Sequence, residues 1–270
     1  MSENILNDND NIFTAEDLSV GYGKTHKERM TDLKRSRTGC STAAVVSGIN
    51  IKIERGKTVC LIGPNGSGKT TALKTITGQL SELGGSMSIC GRPLSGMSEK
   101  ERAKYISVVL TEKISPELMT CRDIVSMGRY PYTGRMGLLR SEDRAKVDEA
   151  LEMVNASDIA DRQFSMTSDG QRQRIMLARA ICQESALIVL DEPTSFLDIR
   201  YKLEILTVLK KLARERGTGV PMSVHELELA RAAADYVICF KNGRVFAEGA
   251  PDEIFDDRLI SEQYDLGMNS

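Results

Sequence analysis

Gly63-Pro64-Asn65-Gly66-Ser67-Gly68-Lys69-Thr70, with Thr71 after it, decides how this chain is read. The glycine spacing lets the backbone curl tightly. Successive N–H groups can then point at one polyphosphate, with the positive end of a following helix behind them. Thr58-Val59-Cys60-Leu61-Ile62 precedes the loop as a short apolar run of strand type, and residues 71–76 have the composition of a helix start. In that setting Lys69 is expected to reach the β- and γ-phosphates of a nucleotide, and the Thr70 hydroxyl to hold Mg²⁺. The alternative is a glycine-rich turn that binds nothing. The complete spacing between strand and helix speaks against it.

The remaining composition narrows the class. At 270 residues the chain is long enough for one large domain or two small ones. Charged residues at 27% and hydrophobic residues at 41% are ordinary for a globular protein. A net charge of −2 argues against a general electrostatic grip on nucleic acid, and no nucleic-acid partner is expected. No apolar run approaches the roughly 18 residues of a membrane-spanning helix. The acidic opening Met-Ser-Glu-Asn lacks an apolar signal core, so export is not expected. The six cysteines are scattered without a Cys-x-x-Cys pair and read as reduced thiols.

Outward from the loop, strand and helix patterns alternate. Ile12 to Tyr22 reads as a first strand, and Ile49, Ile51 and Ile53 alternate with polar neighbours as a second. Between them, residues 23–43 are rich in Lys and Arg and read as a solvated loop. Helical spacing dominates about 96–185. It includes the capping pair Thr120 and Asp123 and an apolar face of Val147, Ala150, Leu151 and Val154. Residues 186–190 form a continuous apolar run, as in a buried parallel strand. Val220 to Val224 is ambiguous because Pro221 cannot donate to a ladder. Residues 236–248 read as a hairpin turning at Asn242-Gly243. The order implies an α/β fold with a mostly parallel core and an inserted helical subdomain.

Two acids end the 186–190 strand. Asp191 would stand at the carboxyl end of a core strand, where open α/β sheets hold ligands, positioned to hold Mg²⁺ beside Thr70. Glu192 could polarise an attacking water. Without the phosphate loop such a pair reads as an ordinary polar exit; with it, as half of a hydrolytic site.

Here the chain resembles the ATP-binding subunit of an ABC transporter. Thr167-Ser168-Asp169-Gly170-Gln171 and the following residues 172–179 are similar to the family's signature loop and helix. Residues 190–198 resemble its Walker B segment running to the D-loop residue Asp198. His225 matches the switch histidine, and Tyr22 the aromatic that stacks on adenine. The resemblance covers about residues 12–250. It implies a single P-loop NTPase domain of RecA-like type with an added antiparallel β subdomain. The core would span about 12–95 and 186–250, the helical subdomain about 96–185, and the C-terminal tail 251–270. It also implies ATP and Mg²⁺ as cofactors and a head-to-tail homodimer. Each ATP would then contact Lys69 of one copy and Ser168, Asp169, Gly170 and Gln171 of the other. Partners would be integral membrane permease subunits and, indirectly, a substrate-binding protein, with the chain peripheral on the cytoplasmic face of the inner membrane.

Departures from the family pattern are specific. Thr167 stands where Leu is usual and Asp169 where Gly is frequent. Thr111 falls where the Q-loop glutamine is expected, with Glu112 beside it as a possible substitute contact for water or metal. The basic stretch after Tyr22 is longer than the family commonly keeps. Residues 127–134, Met-Gly-Arg-Tyr-Pro-Tyr-Thr-Gly, are similar to a segment of cassettes serving iron–siderophore, haem and cobalamin importers. The same residues also read as a helix C-terminus. The expected function is ATP hydrolysis energising import of an iron–siderophore or related metal chelate. A soluble ABC-type ATPase outside membrane transport is the alternative, and a kinase or GTPase is disfavoured by the signature and His225.

Overall fold

A computed structural model describes residues 10–22, 43–110, 116, 118–134, 137–195, 197–256, 260, 263 and 264. The polar N-terminal residues 1–9 lie outside these. So do the basic stretch 23–42, Thr111 and Glu112. Ala43, read with the basic loop, already begins a strand.

Two sheets organise the chain. In the smaller, β1 (Asn11–Tyr22) pairs antiparallel with β2 (Ala43–Glu54) and with β4 (Gly84–Ile89), which carries β5 (Arg92–Pro93) at its edge. Phe13 opposes Ile53 on one side and Ile89 on the other, so the apolar positions of three strands share a buried face. Ile49, Ile51 and Ile53 are buried while Asn50, Lys52 and Glu54 are exposed, which is the expected period of two.

The larger sheet runs β10-β9-β3-β8-β7-β6, where β3 is Thr58–Ile62, β6 Ile106–Val109, β7 Leu187–Leu190, β8 Val220–Ser223, β9 Tyr236–Lys241 and β10 Arg244–Gly249. All its pairings are parallel except β9 with β10. β3 lies inside, buried at every position. Its Cys60 and Ile62 enter one apolar core, and its Val59 and Leu61 enter the other. The stretch read as helical over about 96–185 therefore contains one strand of the main sheet, β6.

Pro221 sits in a buried parallel strand after all. The N–H groups of Val220 and Val224 bond to carbonyls of Lys57 and Leu61 on the β3 side, whereas that of Gly219 bonds to Ala186 on the β7 side. Pro221 shares the β7-facing phase with Gly219. Pairing between β7 and β8 is sparse there, Leu190 with Met222, so little is lost by the missing donor. The hairpin turn is as expected: Asn242 and Gly243 have φ of 50° and 72°, the left-handed pair of a tight two-residue turn.

The helices follow their apolar faces. α1 (Lys69–Ile76) buries Ala72, Leu73 and Ile76 against the smaller sheet's core. After the short α2 (Glu99–Arg102), α3 (Cys121–Ser126) starts at the Thr120–Asp123 capping box. α4 (Ser141–Met153) buries Val147, Ala150 and Leu151, and α5 (Asp169–Cys182) buries Ile175, Leu177 and Ala178 in the same core. α6 (Ile199–Arg216) ends on Gly217 at φ 66°. α7 (Leu227–Ala233) follows β8, and α8 (Pro251–Ile254) opens the C-terminal tail. Among the described residues no helix is long and apolar enough to cross a membrane.

One buried ionic cluster ties three of these helical pieces together. Gly128 lies so close to α5 that a Cβ there would meet the Arg179 carbonyl oxygen at 2.3 Å. Arg129, buried, donates to Asp143 of α4 at 2.9 Å, to the Cys182 carbonyl at 2.8 Å and to Glu184 at 2.8 Å. Tyr132 covers the guanidinium at 4.3 Å. The Gly-Arg-Tyr segment is thus a locked packing element as well as a helix end.

Candidate nucleotide-binding site

The phosphate loop joins β3 to α1. Gly63 has φ 144°, and a Cβ there would lie 2.1 Å from the Phe240 carbonyl oxygen; one on Gly68, φ 107°, would lie 2.1 Å from a Val46 methyl. A side chain at Gly63 would collide with the backbone of β9, one at Gly68 with the Val46 side chain, and both positions have a positive φ that disfavours any other residue. Gly68 caps α1 without a side-chain hydrogen bond, so the helix end presents backbone donors. The Ser67 hydroxyl is buried and has no protein partner. Lys69, also buried, folds back to donate to the carbonyls of Gly63 at 2.7 Å and Pro64 at 3.1 Å. Burial lowers its ammonium below the ordinary lysine range, and the charges of Glu192 and Asp191 oppose that. A buried hydroxyl without a partner among the described residues, beside an ammonium whose hydrogen bonds go to neutral carbonyls, fits a polyphosphate.

The acids of the 186–190 run arrive opposite the loop because β7 and β3 are parallel and both flank β8. Thr70 Oγ1 donates to Asp191 Oδ1 at 3.1 Å, which joins the two halves of the site. One carboxylate beside one hydroxyl suits Mg²⁺, which keeps waters and substrate phosphates as its other ligands. Among the described residues no cluster of three His, Cys, Asp or Glu offers an all-protein metal cage.

Glu192 adopts φ 51°, the left-handed region that costs a non-glycine residue about 1–3 kcal/mol and recurs at functional sites. Its carboxylate accepts from Ser195 Oγ at 2.8 Å and contacts His225 Nε2. Burial pushes its carboxyl up, but His225, Ser195 and the charge of Lys69 outweigh burial and leave it below the usual glutamate range. Glu192 is therefore a carboxylate at neutral pH.

Tyr22, Val45, Asn65, Gly66, Gly68, Lys69, Thr70, Thr71, Glu192 and His225 line one cleft of about 580 Å³. A larger cavity of about 760 Å³, between β1, β2 and the start of β9, has none of this chemistry. Tyr22 stands at the mouth, 60% exposed, with its ring available for stacking.

The signature residues stand elsewhere. Ser168 is the exposed N-cap of α5: its hydroxyl accepts from the Gln171 N–H at 3.3 Å, and its own N–H donates to the Gln171 side chain at 3.0 Å. Asp169 sits in the first turn, where the helix dipole favours a carboxylate, and pairs with Arg172 at 3.5 Å. Gly170 leaves room for Tyr201, whose ring a Cβ would meet at 3.3 Å. Thr167 is accommodated because its buried hydroxyl donates to the Phe164 carbonyl at 2.6 Å. Asp198 caps α6 by accepting from the Tyr201 N–H at 3.1 Å. None of these residues lines the Lys69 cleft.

Three residues of the site escaped the sequence reading. Val45 reaches the cleft from β2, and nothing in its local sequence signals this. Ser195 and Ser223 contact the acids directly. Ser223 lies two residues before His225, the spacing that puts both side chains on one face of an extended segment.

A parallel sheet that brings a phosphate loop against an Asp-Glu pair defines a nucleotide-hydrolysing P-loop protein. The ABC transporter family profile matches residues 46–195. An ABC transporter ATP-binding protein of Methanocaldococcus jannaschii is 40% identical over 255 residues, which are 94% of this chain and 82% of that one. The iron(3+)-hydroxamate import ATP-binding protein of Bacillus subtilis is 33% identical over 95% of this chain and 88% of its own length. The dimeric post-hydrolysis structure of an ATP-binding cassette bound to ADP and Pi superposes with a TM-score of 0.74 at 25% identity, over 88% of this chain and 98% of that one. The chain belongs to the ABC transporter family, as one of its ATP-hydrolysing cassettes.

Proposed function

We propose that this chain hydrolyses ATP as the energising subunit of an importer for an iron–siderophore or a related metal chelate such as haem or cobalamin. The observation that carries the hydrolytic half is the Thr70–Asp191 contact beside Glu192 and His225, all facing the loop that presents Lys69. The adenine would stack on Tyr22, and backbone N–H groups of 63–71 would surround the phosphates. Lys69 would exchange its two carbonyl acceptors for phosphate oxygens. Bound Mg²⁺, held by Thr70 and Asp191, would neutralise developing phosphate charge. Glu192 would accept a proton from the attacking water as the new oxygen–phosphorus bond forms and the bond to the β-phosphate oxygen breaks. His225 orients Glu192 and would reach the γ-phosphate.

The exposed tip of α5 supports a two-copy site. Ser168 and Gly170 stand at a helix N-terminus outside the Lys69 cleft, so the γ-phosphate of one copy would meet the signature helix of a second. Thr111 or Glu112 would complete the site in the role of the Q-loop glutamine. For cargo, support comes from residues 127–134 and from the hydroxamate-import relative. Within that segment Met127 and Tyr130 are exposed and would offer apolar surface to a permease on the cytoplasmic face of the membrane.

Lys69→Ala is expected to weaken ATP binding about 10–100-fold, as for a lost hydrogen bond between charged groups, measured by titration with a fluorescent ATP analogue. For the transport half, the tagged chain is expected to co-purify with a multi-spanning permease. Recovery with no such partner would favour an ABC-type ATPase outside transport.

A further inference from the structure

Ser223 is the last residue of β8 and is fully buried. Its hydroxyl lies between the two acids: Oγ is 2.7 Å from Asp191 Oδ1 and 2.8 Å from the backbone nitrogen of Glu192. The directions of both bonds are forced. A carboxylate only accepts and a backbone N–H only donates, so the single hydroxyl proton goes to Asp191 and the oxygen lone pair receives Glu192. Two residues further on, His225 touches the Glu192 carboxylate. One short segment, 223–225, thus holds the Asp-Glu pair at three atoms.

We propose that Ser223 is a positioning residue for hydrolysis. It sets the Asp191 carboxylate toward Thr70 and pins the left-handed peptide of Glu192, so that one acid faces the metal position and the other the attacking water. This rests on the functional reading above. The strain at Glu192 gives the hydroxyl its importance. A left-handed glutamate persists only where its surroundings over-determine it, and the Glu192 N–H has Ser223 as its partner. The Asp191 contact adds a second consequence, since the same carboxylate oxygen also receives Thr70. Removing the hydroxyl takes a contact from the Asp191 carboxylate and from the Glu192 N–H at once, while Thr70 still reaches Asp191 and Ser195 and His225 still reach the Glu192 carboxylate; a change in catalysis should therefore be accompanied by a change in metal-dependent nucleotide affinity.

The test compares Ser223→Thr with Ser223→Val in the full chain, a pair of near-equal shape that differs in the hydroxyl. Two quantities are read: ATP turnover, and the gain in ATP affinity on replacing EDTA with Mg²⁺. The valine variant is expected to turn over about 10–100-fold more slowly than the threonine variant. It is also expected to lose most of the Mg²⁺-dependent gain, while binding ATP in EDTA as the wild type does. Equal turnover and equal gain in the two variants would overturn the assignment. Should neither fold, Ser223→Ala against wild type makes the same comparison. Ser107→Ala, which removes a different buried hydroxyl contact to Ser185, should leave both quantities unchanged; a matching loss there would also overturn it. A wild-type chain that neither binds nor hydrolyses ATP would instead defeat the functional reading, and this proposal with it.

Discussion

Glu192→Gln is expected to reduce ATP turnover roughly 10²–10⁴-fold while leaving ATP binding close to wild type. The substitution keeps the size of the side chain and its oxygen contact to Ser195, but removes the negative charge that would accept a proton. The structural reason for a large effect is the environment of the carboxylate. His225, Ser195 and Lys69 together outweigh its burial and keep it ionised at neutral pH. A glutamine cannot take the proton at any pH. Single-turnover kinetics alongside equilibrium nucleotide binding separates the two quantities. Loss of binding as large as the loss of turnover would assign Glu192 to structure instead.

Arg129→Met is expected to be strongly destabilising although it lies outside the cleft. It removes the guanidinium from between Asp143, Glu184 and the Cys182 carbonyl and leaves Asp143 buried without its cation. Breaking a buried pair from one side costs about 3–5 kcal/mol. For a chain of this size that corresponds to roughly 6–20 °C in thermal midpoint. The sign of the pH dependence follows from the carboxyls. The Arg140 N–H, joined by Arg129, holds Asp143 below its ordinary value, and Lys146 and Arg129 outweigh burial at Glu184 to do the same. Groups depressed in the folded state stabilise it above their unfolded values, here 3.8 and 4.5, and that contribution disappears as pH falls through the lower folded values. The wild type should therefore lose its advantage over Arg129→Met on acidification below about pH 4.5. Calorimetric unfolding at neutral and acid pH checks both the size and the sign.

The parts legible in the sequence were those whose chemistry is local. The loop 63–70 needs Gly63 and Gly68 because Phe240 and Val46 press against them, and Gly66 because its backbone is left-handed. The pattern of residues 49–54 is the burial pattern of β2, and the Asn242-Gly243 turn requires residues that tolerate left-handed backbone. Contacts made across the sheet were not legible. Pro221 looked hostile to a strand until the β7–β8 pairing proved sparse at that point. Ser223 carried no motif, and its importance appears only when β8 lies beside β7 and brings its hydroxyl level with Asp191. Val45 enters the cleft through strand pairing with β1, which residues 43–46 alone do not reveal. Thr167 and Asp169, departures from the family pattern, are explained by a local carbonyl and a local helix dipole. The sequence around Gly128 and Arg129 points to cargo and to a helix end; their packing against α5 adds a structural demand on the same residues.

The claim on which the functional account turns is that the Lys69 loop of one copy and the Ser168 helix tip of a second copy grip the same triphosphate. Sedimentation velocity of Glu192→Gln with MgATP tests it most directly. The expected result is a dimer that requires ATP, reverts to monomer with ADP, and fails to form when Ser168→Arg is added. A Glu192→Gln chain that binds ATP and stays monomeric, or a dimer indifferent to both the γ-phosphate and Ser168, would contradict it.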